Sequence, residues 1–218
     1  MFLILLYKLQ DPKTHISQLF ENISQKDDQK SFEELFKLFY ERLLNFCVRY
    51  TMAREIAEEL VSDALFTIWQ KRKDLSHVSN LQTYLFIMVK NKSLNYTKQF
   101  SNYRFVYLEE TGSHQLLNIN DPGKELERRE LILKMDQAIE TLPHQCRIIF
   151  SLIKEEGLKY KEVAQILDIS PRTVETQLVR AMKKLDKILF PYVSPKSSLR
   201  RKTNPISVIK SALFSTFF

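Results

Sequence analysis

Glycine is nearly absent from this chain, with only 3 glycines among 218 residues. Tight β-hairpin turns and phosphate-cradling loops both depend on glycine, because it adopts left-handed backbone conformations without steric cost. A β-barrel or a dinucleotide-binding fold is therefore disfavoured. Leu, Lys, Glu, Ile and Phe are frequent instead, and this composition favours helices.

Apolar residues recur at helical spacing in three successive segments of the N-terminal half. The first helix is predicted to begin at Ser31 as its N-cap, with Glu34 as the capping-box partner three residues on. The other two are predicted over residues 54–71 and 81–98. Three amphipathic helices of this length can bury one core, so residues 28–98 are predicted to form a domain.

Helical periodicity fades over residues 99–125, which contain an Asp-Pro-Gly turn signal. This range is therefore predicted to be a flexible linker. Helices resume over residues 126–190 as a second small domain. Residues 1–27 are an N-terminal extension, and residues 191–218 form a basic and then apolar tail. The predicted fold is all-α, with two small helical domains joined by a linker.

Residues 160–187 have the pattern of a DNA-binding helix-turn-helix. Two predicted helices flank a turn, Asp168-Ile169-Ser170, of the length that this motif needs. Ser170 is suited to cap the second helix, and Pro171 is suited to its first position. Asp168 stands where many such turns have glycine, but aspartate tolerates the left-handed conformation better than most residues.

A helical wheel separates two faces of the second helix. The apolar face is predicted to pack on the domain, and its residues are Val174, Leu178, Ala181, Met182 and Leu185. The opposite face is predicted to contact DNA, and its residues are Arg172, Thr173, Glu175, Thr176, Val179, Arg180 and Lys183. Arginine can read guanine bidentately, and an apolar side chain can meet the thymine methyl group. A solvated face has a similar composition, but the turn and cap favour DNA recognition.

The formal net charge is +7, which is typical of a protein with a polyanionic partner but also of a merely basic surface. Cys47 and Cys146 are far apart in the sequence, and neither belongs to a CxxC pair. They are predicted to be buried free thiols in a reducing cytoplasm. No P-loop, nucleophile elbow or metal-ligand motif is found. We therefore predict no catalytic residue, cofactor, metal or small-molecule substrate. The apolar run at residues 1–6 is too short to span a bilayer, and the protein is predicted to be cytoplasmic.

Several motifs, in their order and spacing, resemble the extracytoplasmic-function sigma factors of bacterial RNA polymerase. The matching segments are Ala57–Trp69, Leu81–Leu85, Val89–Asn91, Glu140–Pro143, Gly157–Ala164 and Val174–Leu185. The resemblance covers about residues 31–98 and 126–189. It implies a factor, not an enzyme, that binds core RNA polymerase, recognises the −35 and −10 promoter elements and promotes DNA melting.

The resemblance also implies partners and site residues. The second helix would dock on the clamp of the polymerase β′ subunit, and the residues predicted to bind core polymerase are Glu58, Glu59, Ser62, Asp63 and Phe66. The β flap of polymerase is a further implied contact. Ser62 departs from the glutamine usual in the family. The loop before the third helix, and that helix, would bind the −10 element through Ser79, Asn80, Lys90, Asn91 and Lys98. An anti-sigma factor is a further implied partner.

Charge and aromatic content agree with these roles. The acidic edge of the second helix suits a basic protein partner, although a solvated acidic face would look the same. Cations near the third helix can hold the phosphates of a separated strand; they are Lys71, Arg72, Lys73, Lys90, Lys92 and Lys98. Tyr84 and Phe86, interleaved with them, are either stacking platforms or part of the core.

A two-domain helix-turn-helix regulator of the response-regulator output type is the alternative. Such a protein needs an α/β receiver or a sensor sheet upstream of its DNA-binding domain. Residues 31–98 are predicted to be helical throughout, which favours the sigma-factor interpretation.

Overall fold

The computed structural model describes residues 12–100 and 133–193, and all regular secondary structure in these two ranges is helical. The all-α prediction is therefore confirmed there, and a receiver or sensor sheet is absent from residues 12–100. The N-terminal apolar run lies outside the described residues. Nearly all of the predicted linker and of the predicted tail also lie outside them.

The described residues form two compact units. The first contains residues 12–100 together with 161–169, and the second contains residues 133–160 together with 170–193. The helices, in chain order, are α1 (Pro12–Lys26), α2 (Gln29–Thr51), α3 (Arg54–Gln70), α4 (Leu81–Phe100), α5 (described over 133–140), α6 (His144–Lys154), α7 (Tyr160–Leu167) and α8 (Pro171–Val193).

Helix α1 lies in the N-terminal extension, for which no helix was predicted. Its buried side chains are Ile16, Leu19, Phe20 and Ile23. Their spacing of three, four and seven residues puts them on one face of a helix. That spacing was visible in the sequence and is the signal that would have revealed α1.

The predicted cap of α2 at Ser31 is wrong. The helix begins at Gln29, and the N-cap is Asp28, whose carboxylate accepts a hydrogen bond from the backbone N–H of Lys30. Ser31 lies in the first turn, where its hydroxyl donates to the other Asp28 oxygen at 2.7 Å. Aspartate caps as well as serine does, and its position three residues upstream lengthens the helix by almost a turn.

Helices α2, α3 and α4 pack together to form the core of the first unit. Phe39, Leu65 and Phe86 are fully buried, one from each helix. Complete burial of such a side chain stabilises the fold by about 1.5–3 kcal/mol. Phe86 is thus a core residue, whereas Tyr84 is half-buried.

The second unit is built around α6 and α8. Ile149 and Leu152 of α6 are fully buried, as are Val174 and Ala181 of α8. Helix α6 ends before Gly157, and this glycine has a φ of +65°, a conformation that favours glycine after a helix.

Candidate nucleic-acid and polymerase interfaces

The turn between α7 and α8 has the backbone geometry that the sequence predicts. Asp168 has a φ of 56°, in the left-handed region, and the next amide, that of Ile169, donates to the carbonyl of Ala164 at 3.0 Å. Ser170 caps α8, since its hydroxyl oxygen accepts a hydrogen bond from the N–H of Thr173 at 3.0 Å. Pro171 is the first residue of α8. These are the local features by which the sequence begins α8 at Pro171.

Helix α8 has a buried face and an exposed face, as the wheel predicts. Val174, Leu178, Ala181 and Leu185 are buried, and Met182 is half-buried. On the opposite face, the exposed residues are Arg172, Glu175, Thr176, Val179, Arg180 and Lys183. Val179 keeps 44% of its surface exposed although it is apolar. An exposed apolar residue among cations and a carboxylate is a surface that can meet the edges of bases.

Two hydroxyls of the predicted DNA-binding face have hydrogen-bond partners in α8 or at its N-cap. Thr173 is half-buried and its hydroxyl lies 2.8 Å from that of Ser170. The hydroxyl of Thr176 donates to the carbonyl of Arg172 at 2.8 Å. A phosphate contact by Thr176 would require its O–H to turn away from this carbonyl, because a hydroxyl has one hydrogen to donate.

The loop between α3 and α4 ends in a helix cap that the sequence analysis missed. The side-chain oxygen of Asn80 accepts a hydrogen bond from the N–H of Thr83 at 3.0 Å, and the amide nitrogen of Asn80 donates to Glu162 at 2.9 Å within the first unit. Asparagine directly before an apolar run is a known cap signal. Ser79, the other loop residue predicted to contact a base, is exposed.

Helix α4 carries the remaining residues predicted to contact the −10 element. Asn91 and Lys98 are exposed, and Lys90 is half-buried. Lys92, one of the cations noted in the sequence, is ion-paired with Asp63 of α3. This pair joins the two helices and reduces the charge that either residue presents to a partner.

Helix α3 carries the residues predicted to bind polymerase. Glu59 and Asp63 are exposed, while Glu58 and Ser62 are half-buried. Glu58 accepts a hydrogen bond from Arg54 at 3.0 Å, one turn earlier. Phe66 keeps 52% of its surface exposed, and a large exposed apolar side chain marks an interaction surface where it belongs to a contiguous apolar patch.

Phe66 belongs to an aromatic cluster that the sequence analysis did not identify as a surface. Its ring centroid lies 6.3 Å from that of Phe32 and 6.2 Å from that of Phe36 on α2. Phe36 stacks on Tyr40 at 5.3 Å, and Phe32 contacts Trp69 at 5.0 Å. The spacing of four residues between Phe32, Phe36 and Tyr40 places them on one face and is the signal that was available. The cluster enlarges the apolar surface beside the acidic edge.

Both cysteines are buried free thiols. Burial raises the pKa of the Cys47 thiol, which lies 3.1 Å from the hydroxyl of Ser93. A buried thiol with a raised pKa is a poor nucleophile. In residues 12–100 and 133–193, no group of three or more His, Cys, Asp or Glu is placed to hold a metal ion. None of the helices in these ranges is both long and apolar enough to cross a membrane.

Both halves of the chain match models of known protein families. Residues 35–101 match the model of sigma-70 region 2, and residues 132–185 match that of sigma-70 region 4. These regions contain the predicted polymerase-binding helix and the helix-turn-helix. The chain therefore belongs to the sigma factors of RNA polymerase, in the extracytoplasmic-function group, and the resemblance found in the sequence is confirmed.

Individual relatives agree with this assignment. The chain is 25% identical to the RNA polymerase sigma-H factor of Pseudomonas aeruginosa, over 80% of this chain and 93% of that protein. It is also 25% identical to the extracytoplasmic-function sigma-E factor of Escherichia coli, over 78% of this chain and 92% of that protein. Among solved structures, the fold matches the sigma factor RpoE of Bartonella quintana, which was crystallised with the anti-sigma factor NepR. That match has a TM-score of 0.54 at 22% identity and covers 74% of this chain and 98% of the RpoE chain.

Proposed function

We propose that the two units of this sigma factor divide promoter recognition between them. The exposed face of α8 reads the −35 element, and the loop over residues 71–80 together with α4 binds the −10 element. The capped turn before α8, with its separate buried and exposed faces, is the observation that carries the proposal. It presents a polar helix face of the kind that enters a major groove.

At the −35 element, three exposed side chains offer different kinds of base contact. Arg180 is suited to bond guanine bidentately, Glu175 to accept from the cytosine amino group, and Val179 to meet a thymine methyl group. Arg172 and Lys183 lie on the same face and are suited to phosphates. Phosphate contacts fix register, whereas base contacts fix sequence.

At the −10 element, the protein must hold a strand that has left the duplex. Asn91 and Lys98 are exposed along α4, and Ser79 is exposed in the loop before it. A cation near the strand neutralises phosphates, and a small polar side chain can bond the edge of an unstacked base. We assign Lys90 and Lys98 to the phosphates, and Ser79, Asn80 and Asn91 to bases. Asn80 must exchange its bond to Glu162 for a base to make its contact.

Core polymerase binds, in this proposal, to the aromatic cluster and the acidic edge of α3. The exposed ring of Phe66 supplies apolar area, and Glu59 supplies charge on its flank. Asp63 must exchange its ion pair with Lys92 for a contact with polymerase to add to that charge. Interfaces typically have an apolar, aromatic centre and a charged rim. We assign this surface to the clamp of the β′ subunit, and a surface of the second unit to the β flap.

An anti-sigma factor is a further partner that we propose. The Bartonella quintana relative was crystallised with one, and this chain has the same fold. Because its proposed partners are polymerase and promoter DNA, we also propose that it acts in the cytoplasm and without catalysis of its own.

Reconstituted transcription tests the proposal. Core polymerase of the source organism would transcribe fragmented genomic DNA with and without the purified chain, and the 5′ ends of the transcripts would be sequenced. We expect new start sites that share one pair of −35 and −10 sequences and that disappear when the chain is omitted. Start sites that are the same in both reactions, or that share no upstream sequence, would contradict it.

A further inference from the structure

Arg72, the second residue of the loop between α3 and α4, is bonded inside the first unit. Its Nε donates to the carboxylate of Asp27 at 2.5 Å, and its Nη1 donates to the carbonyl of Trp69 at 2.7 Å. Its guanidinium carbon also lies 4.5 Å from the centroid of the Trp69 ring. Arg72 is one of the cations predicted from the sequence to hold DNA. In the structure its side chain is only 21% exposed, and its charge is already paired.

Asp27 is held in place by the turn between α1 and α2. It has a φ of 55°, and the next residue, Asp28, caps α2. Bonding by Arg72 keeps the pKa of the Asp27 carboxyl below its ordinary value, so this group is ionised at neutral pH. A second cation, Lys73, approaches the other carboxylate oxygen at 3.4 Å. Asp27 therefore neutralises charge at the start of the loop.

The loop is fixed at its two ends by different contacts. At its start, Arg72 connects the end of α3 to the α1–α2 turn. At its end, Asn80 caps α4. Between them, Leu75 is buried and its amide donates to the carbonyl of Lys71 at 3.0 Å. Exposed Ser79 is therefore carried on a loop whose path is set before DNA arrives.

We propose that Arg72 and Asp27 are positioning residues for the −10 element. Their ion pair, stacked on Trp69, orients the loop so that Ser79 meets the extruded base, and Arg72 itself does not bind a phosphate. This inference rests on the proposed function, because it assigns a role to the same loop. A loop ordered in advance loses less conformational entropy when it binds, so promoter melting is faster than with a loose loop.

Substitutions at the two acidic residues Asp27 and Asp74 separate this role from simple electrostatics. Both residues lie in or beside the loop, and Asp74 is exposed. Removing either carboxylate makes the surface more positive, which by itself strengthens attraction to DNA. Our proposal predicts the opposite for Asp27→Asn, because the Arg72 anchor is weakened. Asp74→Asn is the matched control, and asparagine also tolerates the left-handed conformation of residue 27.

The assay measures the rate of promoter melting by the holoenzyme. Melting is monitored through the permanganate reactivity of −10 thymines. We expect Asp27→Asn and Arg72→Met each to slow melting by about fivefold, the effect of a partly exposed charge-assisted bond. The double variant should be no slower than the worse single variant, since both changes remove one contact. Asp74→Asn should melt the promoter at least as fast as the unaltered protein. Melting rates are compared at a core polymerase concentration that saturates each variant, because the Trp69 ring that Arg72 covers also belongs to the aromatic cluster assigned to polymerase.

Two further readouts distinguish an anchor from a phosphate contact. The salt dependence of holoenzyme binding should keep its slope in Arg72→Met, whereas loss of a phosphate contact lowers the slope by about 0.7–0.9. Trp69 is the one tryptophan of the chain, so acrylamide quenching of its fluorescence should increase in Asp27→Asn and not in Asp74→Asn. A lower salt slope, or melting in Asp27→Asn as fast as in Asp74→Asn, overturns the inference. If the unaltered holoenzyme melts no promoter, the proposed function itself fails.

Discussion

Arg180 offers the sharpest test of the proposed −35 contact. The residue is exposed on α8, on the side opposite the buried Val174 and Leu178. A bidentate bond from arginine to guanine contributes about 1–3 kcal/mol of discrimination, which corresponds to about 5- to 150-fold in binding. Arg180→Ala should therefore weaken promoter recognition by this factor. The free energy of unfolding should change by no more than about 0.5 kcal/mol, because the site is exposed and alanine favours helices.

The assay for Arg180→Ala is initiation by the holoenzyme on the native promoter and on a set of single-base variants of its −35 element. We expect the substitution to lower initiation on the native promoter and to abolish the preference at one base pair. Lys187→Ala is the matched control, since Lys187 is an exposed cation of α8 two turns beyond Arg180 and was not assigned a DNA contact. If Arg180→Ala keeps every base preference, or loses no more than Lys187→Ala does, then Arg180 does not read a base.

Three further predictions concern docking, capping and pH. Replacing Glu59 and Asp63 together by lysine should weaken core polymerase binding in a pull-down. Glu41→Lys, which changes an exposed residue of α2, should leave this binding unchanged. Equal binding by both variants would show that the acidic edge is not part of the interface. Ser170→Ala should lower the free energy of unfolding by about 1 kcal/mol in urea denaturation because α8 loses its cap, and an unchanged midpoint would contradict that role. Hydrogen bonding by Ser31 lowers the pKa of the Asp28 carboxyl, so its stabilising effect is complete above the unfolded pKa of about 3.9 and is lost as the pH falls through the lower folded value. In urea denaturation, the free energy of unfolding should therefore fall less between pH 5 and pH 2 in Asp28→Asn than in the unaltered protein. An identical pH dependence in the two proteins would contradict the assignment.

Much of the helix-turn-helix could be predicted from the sequence because its signals are local. Ser170, Pro171 and Asp168 each act through their own backbone position, and each has the predicted role in the structure. The two faces of α8 follow from helical periodicity alone. Whether the exposed face contacts DNA stays a prediction, because exposure does not identify a partner.

Other features depend on choices that local signals do not decide. Both Asp28 and Ser31 are good capping residues. In the structure the backbone N–H of Asp28 donates to the carbonyl of Asn22 in α1, a contact that the local sequence pattern does not reveal. Arg72 looked like a cation for DNA because the sequence does not reveal that Asp27 lies next to it in space, 45 residues away. The aromatic cluster around Phe66 likewise joins two helices, so its extent was visible only when both were placed.

A permanganate footprint over the −10 element tests the central claim most directly. One helix-turn-helix makes a small interface, and two weakly binding units gain affinity only when their geometry lets both engage. Docking on polymerase supplies that geometry in our account. We predict that −10 thymines become reactive only when the chain and core polymerase are both present, and that the chain alone protects no specific site. Protection of a palindromic site by the chain alone at nanomolar concentration, with the duplex left unmelted, would contradict the account and favour a conventional dimeric regulator.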